Sequence, residues 1–137
     1  MDALDDDSGF VRATAAASLG FAGRRLAASG GHHAAAQAVE ALAEAMDRED
    51  YANDHFGAGE GPSDGDPRSW STQTRPNSVR SAVRENAAIS LAMLATVMDG
   101  AGDVWGAAAP ILERVLLEDT NKFVVSHNCS QAISHCL

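Results

Sequence analysis

The sequence predicts an all-α protein assembled from recurring helical layers, and three observations carry that expectation. One stencil recurs: Val83-Arg84-Glu85-Asn86-Ala87-Ala88-Ile89-Ser90-Leu91 matches Val11-Arg12-Ala13-Thr14-Ala15-Ala16-Ala17-Ser18-Leu19 upstream. It matches Val125-Ser126-His127-Asn128-Cys129-Ser130-Gln131-Ala132-Ile133 downstream, more loosely. A companion stencil, Ala34-Ala35-Ala36-Gln37-Ala38-Val39-Glu40, aligns with Ala107-Ala108-Ala109-Pro110-Ile111-Leu112-Glu113. It follows the first at nearly constant distance, 34 − 11 = 23 and 107 − 83 = 24 residues. Finally, 27 of the 137 residues are alanine, the best helix former, and only 5% are aromatic, which favours thin layers of closely approaching helices.

Recurrence at fixed periods of roughly 20 to 50 residues marks stacked solenoids, in which each repeat buries its apolar face on its neighbours. The step from Val83 to Val125 is 125 − 83 = 42 residues. From Ala34 to Val83 is 49 residues and from Ala107 to Val125 is 18, so one interval carries 49 − 18 = 31 extra. The chain therefore reads as a single domain over 1–137, about two and a half repeats with one long inserted loop.

Taken in order, Asp5 to Ser8 supply N-cap residues. A first helix is expected from Gly9 or Phe10 to about Phe21, with Gly20, Gly23 and Ser29-Gly30-Gly31 as breaks. The second runs from about His32 to Met46, where Ala35, Val39, Leu42, Ala43 and Met46 fall at three-four spacing. Residues 47–77 hold four glycines and three of the four prolines and read as a flexible acidic insertion. They also hold Tyr51, Phe56 and Trp70, three of seven aromatics, so the segment is either a tolerated excursion or a docking loop. Asn77 or Ser78 caps a helix to about Met98, with Val79, Val83, Ala87, Leu91, Leu94, Ala95 and Met98 as its stripe.

Pro110 fits a helix only in its first turn, so the spacing predicts a short helix or turn over 104–109 and a longer helix to Glu118. Asn121 caps the last helix, which buries Val124, Val125, Asn128, Cys129, Ala132, Ile133 and Cys136. That stripe is still running where the chain stops, and the first unit has no opening helix. A longer array, further repeats or self-association through the terminal helices is the expectation.

The net charge of −9 is unevenly placed. Met1 to Asp7 contributes four aspartates, and 47–77 contributes seven acids against three arginines. The rest, eight acids against seven bases, is near neutral, which leaves no broad basic face for nucleic acid. Acidity at Met1 to Asp7 stands where a secretory signal needs bases, and the uncharged run from Asn86 to Met98 is too short for a membrane span. Cys129 and Cys136, about 10 Å apart along one helix, are too distant to bridge. A reducing compartment, cytoplasmic or nuclear, fits.

These residues resemble the armadillo and HEAT repeat superfamily over most of the chain outside the insertion. Gly106 to Leu117 looks like the second armadillo helix and Val83 to Ala95 like the third; the first unit, with its aspartate-rich turn before Val11-Arg12, is equally HEAT-like. The resemblance implies a right-handed α-solenoid of this type whose last helices line a groove for partners. In armadillo importers of nuclear cargo that helix presents a tryptophan and, four residues on, an asparagine. The matching positions here hold Ala17 and Phe21, Ile89 and Met93, and Gln131 and His135, so the basic-peptide clamp is missing. The resemblance also implies that Arg12 and Arg84 pair with acids in an adjacent turn, a ladder that Ser126 interrupts. Thr14, Asn86 and Asn128 share one repeat position and are expected to tie helix backbones to their neighbours.

Catalytic and metal patterns find no match. The five histidines make no pair with short Cys/His spacing in two places, and His127 and Cys129 point apart on one helix. No His-Glu dipeptide occurs, which a metal-dependent hydroxylase on HEAT-like repeats would need. There is no Gly-x-Ser-x-Gly elbow or phosphate-binding loop, and Asp54-His55 is a lone dyad. The functional expectation is a non-catalytic protein-binding scaffold without cofactor or metal, its partner lying on Phe21, Ile89, Met93, Gln131 and His135. A cargo adaptor of nuclear transport is the alternative on the same fold, and a HEAT-like metal-dependent enzyme the alternative of another class.

Overall fold

The computed structural model describes residues 2–49, 79–98, 102–119 and 122–136, and the regular elements among them are all helical. A 3-10 turn over Asp2–Asp5 leads into α1, Gly9–Ala28, and α2, His32–Arg48. After the undescribed interval come α3, Val79–Val97, the short α4, Gly102–Trp105, and α5, Ala109–Glu118. A π-helical turn over Lys122–Ser126 opens into α6, His127–Cys136. Among the described residues no helix is long and apolar enough to cross a membrane.

The first helix is longer than its glycines led the sequence reading to expect. It passes through Gly20 and Gly23 and ends at Ala28. Both glycines are buried contact points, which overrides their weak helix propensity. A Cβ on Gly20 would come 2.5 Å from Ser90 Cβ and 3.0 Å from the Ser90 Cα, and one on Gly23 would come 2.9 Å from Leu94 Cδ2. The true stop is Gly30, whose φ of 90° only glycine adopts at no cost. Gly31 N–H donates to Leu26 O at 2.7 Å and Gly30 N–H to Ala27 O at 3.2 Å, the paired bonds of a Schellman cap.

The start of the insertion is corrected too. Asp47 and Arg48 complete α2 and Glu49 is its C-cap, so the inserted interval opens after Glu49. The remainder of 47–77, with Tyr51, Phe56 and Trp70, lies outside the described residues, as do the caps at Asn77, Ser78 and Asn121. Pro110 sits in the first turn of α5, where its missing N–H costs nothing, and the turn at 106–108 separates α5 from α4.

α3 is the middle of the assembly. α1 packs along it most extensively, α6 packs on it as well, and α2 covers both α1 and α3. The three segments that share the stencil are thus spatial neighbours. α1 and α3 run parallel: Asn86 Nδ2 donates to Ala13 O at 2.9 Å and Ser90 Oγ to Ala16 O at 2.8 Å, and further along Gly23 meets Leu94. Contacts that ascend together in both helices fix the direction and hold the register close to the 83 − 11 = 72 residue offset of the stencils.

The core lies between these helices. Val39, Leu42 and Met46 of α2 share one buried cluster with Leu91 and Leu94 of α3, and Trp105, Leu112, Val125 and Cys129 belong to it too. Ala35 and Ala43 of the α2 stripe and Val83, Ala87, Ala95 and Met98 of the α3 stripe are buried as expected. In the last helical segment Val125, Cys129 and Ala132 are buried, while Val124, Asn128 and Ile133 are half-buried. The side chains of Val79 and Cys136 lie outside the described residues.

Candidate partner-binding groove

Two arginine pairs lock the layers that carry the candidate surface. Arg12 Nε donates to Glu49 Oε1 at 2.6 Å, while its Nη1 donates to the carbonyls of Asp6 and Asp7 at 2.9 and 3.1 Å. Arg84 Nε donates to Asp119 Oδ2 at 2.8 Å and Nη2 to Oδ1 at 3.4 Å, with side-chain exposures of 1% and 0%. Its Nη1 also reaches the Glu49 carbonyl at 3.3 Å. The acids are the C-cap residues of α2 and α5, where a carboxylate faces the negative pole of its own helix and needs a cation beside it. Each stencil arginine thus clamps the end of the helix that follows it in the layer, and Arg84 holds both clamps together.

The third stencil position holds Ser126, buried, with no hydrogen-bond partner for its hydroxyl among the described residues. Of the shared polar position, Asn86 ties α3 to α1 as expected. Asn128 does not tie neighbours: its Nδ2 donates to Val124 O at 2.8 Å, one turn back in its own helical segment, and Thr14 is exposed. The looser third stencil keeps the helix and loses the ties.

Against this frame Phe21 is 59% exposed and Ile89 39% exposed, and Met93 is half-buried. Ile89 and Met93 are one turn apart on one side of α3. Because α1 and α3 are parallel and register-matched, Phe21 stands on the corresponding side of α1. Gln131 is exposed and His135 half-buried one turn further along α6, which also packs on α3. A residue the sequence reading missed belongs with them: Phe10, 40% exposed, precedes Phe21 by 11 residues, three turns, and so shares its side of the helix. Recurrence at 11 was the available signal.

The arrangement offers apolar contact flanked by polar groups. Among the described residues no three histidine, cysteine, aspartate or glutamate side chains converge to hold a metal ion. Cys129 is a core residue whose sulfur lies 4.0 Å from Met46 Sδ; burial, and secondarily the Asp119 carboxylate, push its thiol up to about 12. It stays a protonated small hydrophobe at neutral pH. Comparison of the chain with protein-family models, with curated proteins and with solved structures finds no match.

Proposed function

We propose that the chain is a right-handed α-solenoid segment of armadillo/HEAT type, about two and a half repeats long, that works as a non-catalytic scaffold for a protein partner. The observation that carries this reading is the parallel, register-matched packing of α1 and α3 through Asn86 to Ala13 O and Ser90 to Ala16 O. In such a stack equivalent positions of successive helices form one ridged surface. Phe21, Ile89, Met93, Gln131 and His135, with Phe10, supply its side chains. Large exposed apolar groups grouped on one side, rimmed by polar ones, are the usual form of a protein-binding surface.

Affinity capture from the source cell tests this with wild-type chain and with Ile89→Asp/Met93→Asp, matched for helicity by circular dichroism. A partner held by the wild type and lost by the double variant supports the groove. An identical set of retained proteins from both overturns it.

A further inference from the structure

The side of α1 turned away from α3 is composed like a buried surface. Under the 72-residue offset, Val11, Ala15, Ser18, Leu19 and Ala22 correspond to Val83, Ala87, Ser90, Leu91 and Leu94. The α3 set is buried to 1% or less. On α1, Val11 is 40% exposed, Ser18 and Ala22 are exposed, and Ala15 and Leu19 are half-buried. Leu4, itself buried, walls one side of a shallow apolar groove of about 320 Å³ that runs over Ala15, Ser18, Leu19 and Ala22.

Sequence spacing and charge specify what fits there. Val11, Ala15, Ser18, Ala22 and Arg25 recur at alternating steps of four and three, the seam of a two-helix contact, and its small central residues let a second backbone come close. The two ends of the face carry opposite charge. Asp6 and Asp7 are exposed ahead of the helix, with Asp5 beside them paired to Arg48 at 2.9 Å, and Arg24 and Arg25 are exposed near its end, about 24 Å from its first residue at 1.5 Å per residue. Turned end for end, such a face complements itself.

We propose that this face binds a second copy of the chain, with α1 antiparallel to its counterpart about a two-fold axis that passes close to Ala16 and Ala17. Residue numbers that meet across the axis then sum to about 33, so that Ala15 lies against Ser18 of the partner subunit and Val11 against Ala22 of the partner subunit. Arg25 of each copy reaches the Asp6–Asp7 stretch of the other. An isologous contact of this kind closes at two and builds no fibre. One helix pair lies at the small end of specific interfaces, so the dimer is expected to be reversible and concentration-dependent. The surface borders Phe21, which is three residues from Ser18 and four from Arg25, but includes none of Phe21, Ile89 and Met93.

Sedimentation velocity of the full chain, at physiological ionic strength and from about 1 to 300 µM, reads the outcome. The wild type is expected to pass from monomer to dimer across that range. Arg24→Glu/Arg25→Glu and Asp6→Lys/Asp7→Lys each place like charges across the axis and should weaken the dimer at least tenfold. The carbonyls of residues 6 and 7 that hold Arg12 survive the second exchange. An equimolar mixture of the two variants restores opposite charge at both ends and should recover dimer as a heterodimer. A wild type that stays monomeric throughout overturns the proposal. So does a dimer that either charge variant leaves intact, or a mixture that stays as monomeric as its components.

Discussion

The first and second units answer the same problem with the same residue type, and differ in how far they take it out of water. Arg12 and Glu49 meet with side chains 12% and 9% exposed, and the arginine spends its other donors on carbonyls of the N-terminal turn. Arg84 and Asp119 are sealed at 1% and 0%, with Arg84 on the helix that among the described residues packs against α1, α2 and α6 together. What sets the weight of an ion pair here is its burial. A sealed pair makes its loss expensive while adding little net stability over a well-packed apolar pair, because the desolvation of both charges offsets most of their attraction.

The largest expected effect follows from breaking the sealed pair. Arg84→Met takes the guanidinium away from a buried carboxylate and should cost about 3–5 kcal/mol in urea unfolding; the double variant Arg84→Met/Asp119→Leu should regain part of that loss. Gly20→Leu comes next, because it drives a side chain into the Ser90 backbone where α1 and α3 cross, at about 1–3 kcal/mol by the same measurement. Arg12→Met should cost less than Arg84→Met, about 1–2 kcal/mol, since water reaches Glu49 once the arginine is gone. If the two arginines prove equal, burial is not what separates the units. The smallest effect is at the third position, where Ser126→Ala removes a buried hydroxyl that no described residue satisfies; it should be neutral or stabilising by up to about 1 kcal/mol, read as a shift in the urea midpoint.

Much of this was legible in the letters. The stencils located α1, α3 and α6, the 42- and 72-residue offsets put them side by side, and Pro110 marked the start of α5. Which acids answer the arginines was not legible. Glu49 lies inside the stretch that composition assigns to the insertion, and Asp119 lies outside both stencils, yet the separations nearly agree, 49 − 12 = 37 and 119 − 84 = 35. Gly20 and Gly23 were read by propensity as breaks, because only the neighbouring helix shows why a missing side chain is needed there. For the groove, spacing alone picked Phe21, Ile89 and Met93. Phe10 escaped because it falls in the first turn, ahead of the stencil.

Arg84 has a consequence for the interval between α2 and α3. The described chain departs at Glu49 and resumes at Val79, and the guanidinium that grips the departing carbonyl sits in the second turn after the return. Both mouths of that interval are stitched to a single side chain. The end of α2 and the start of α3 are thereby held beside one another by a side chain of α3 itself.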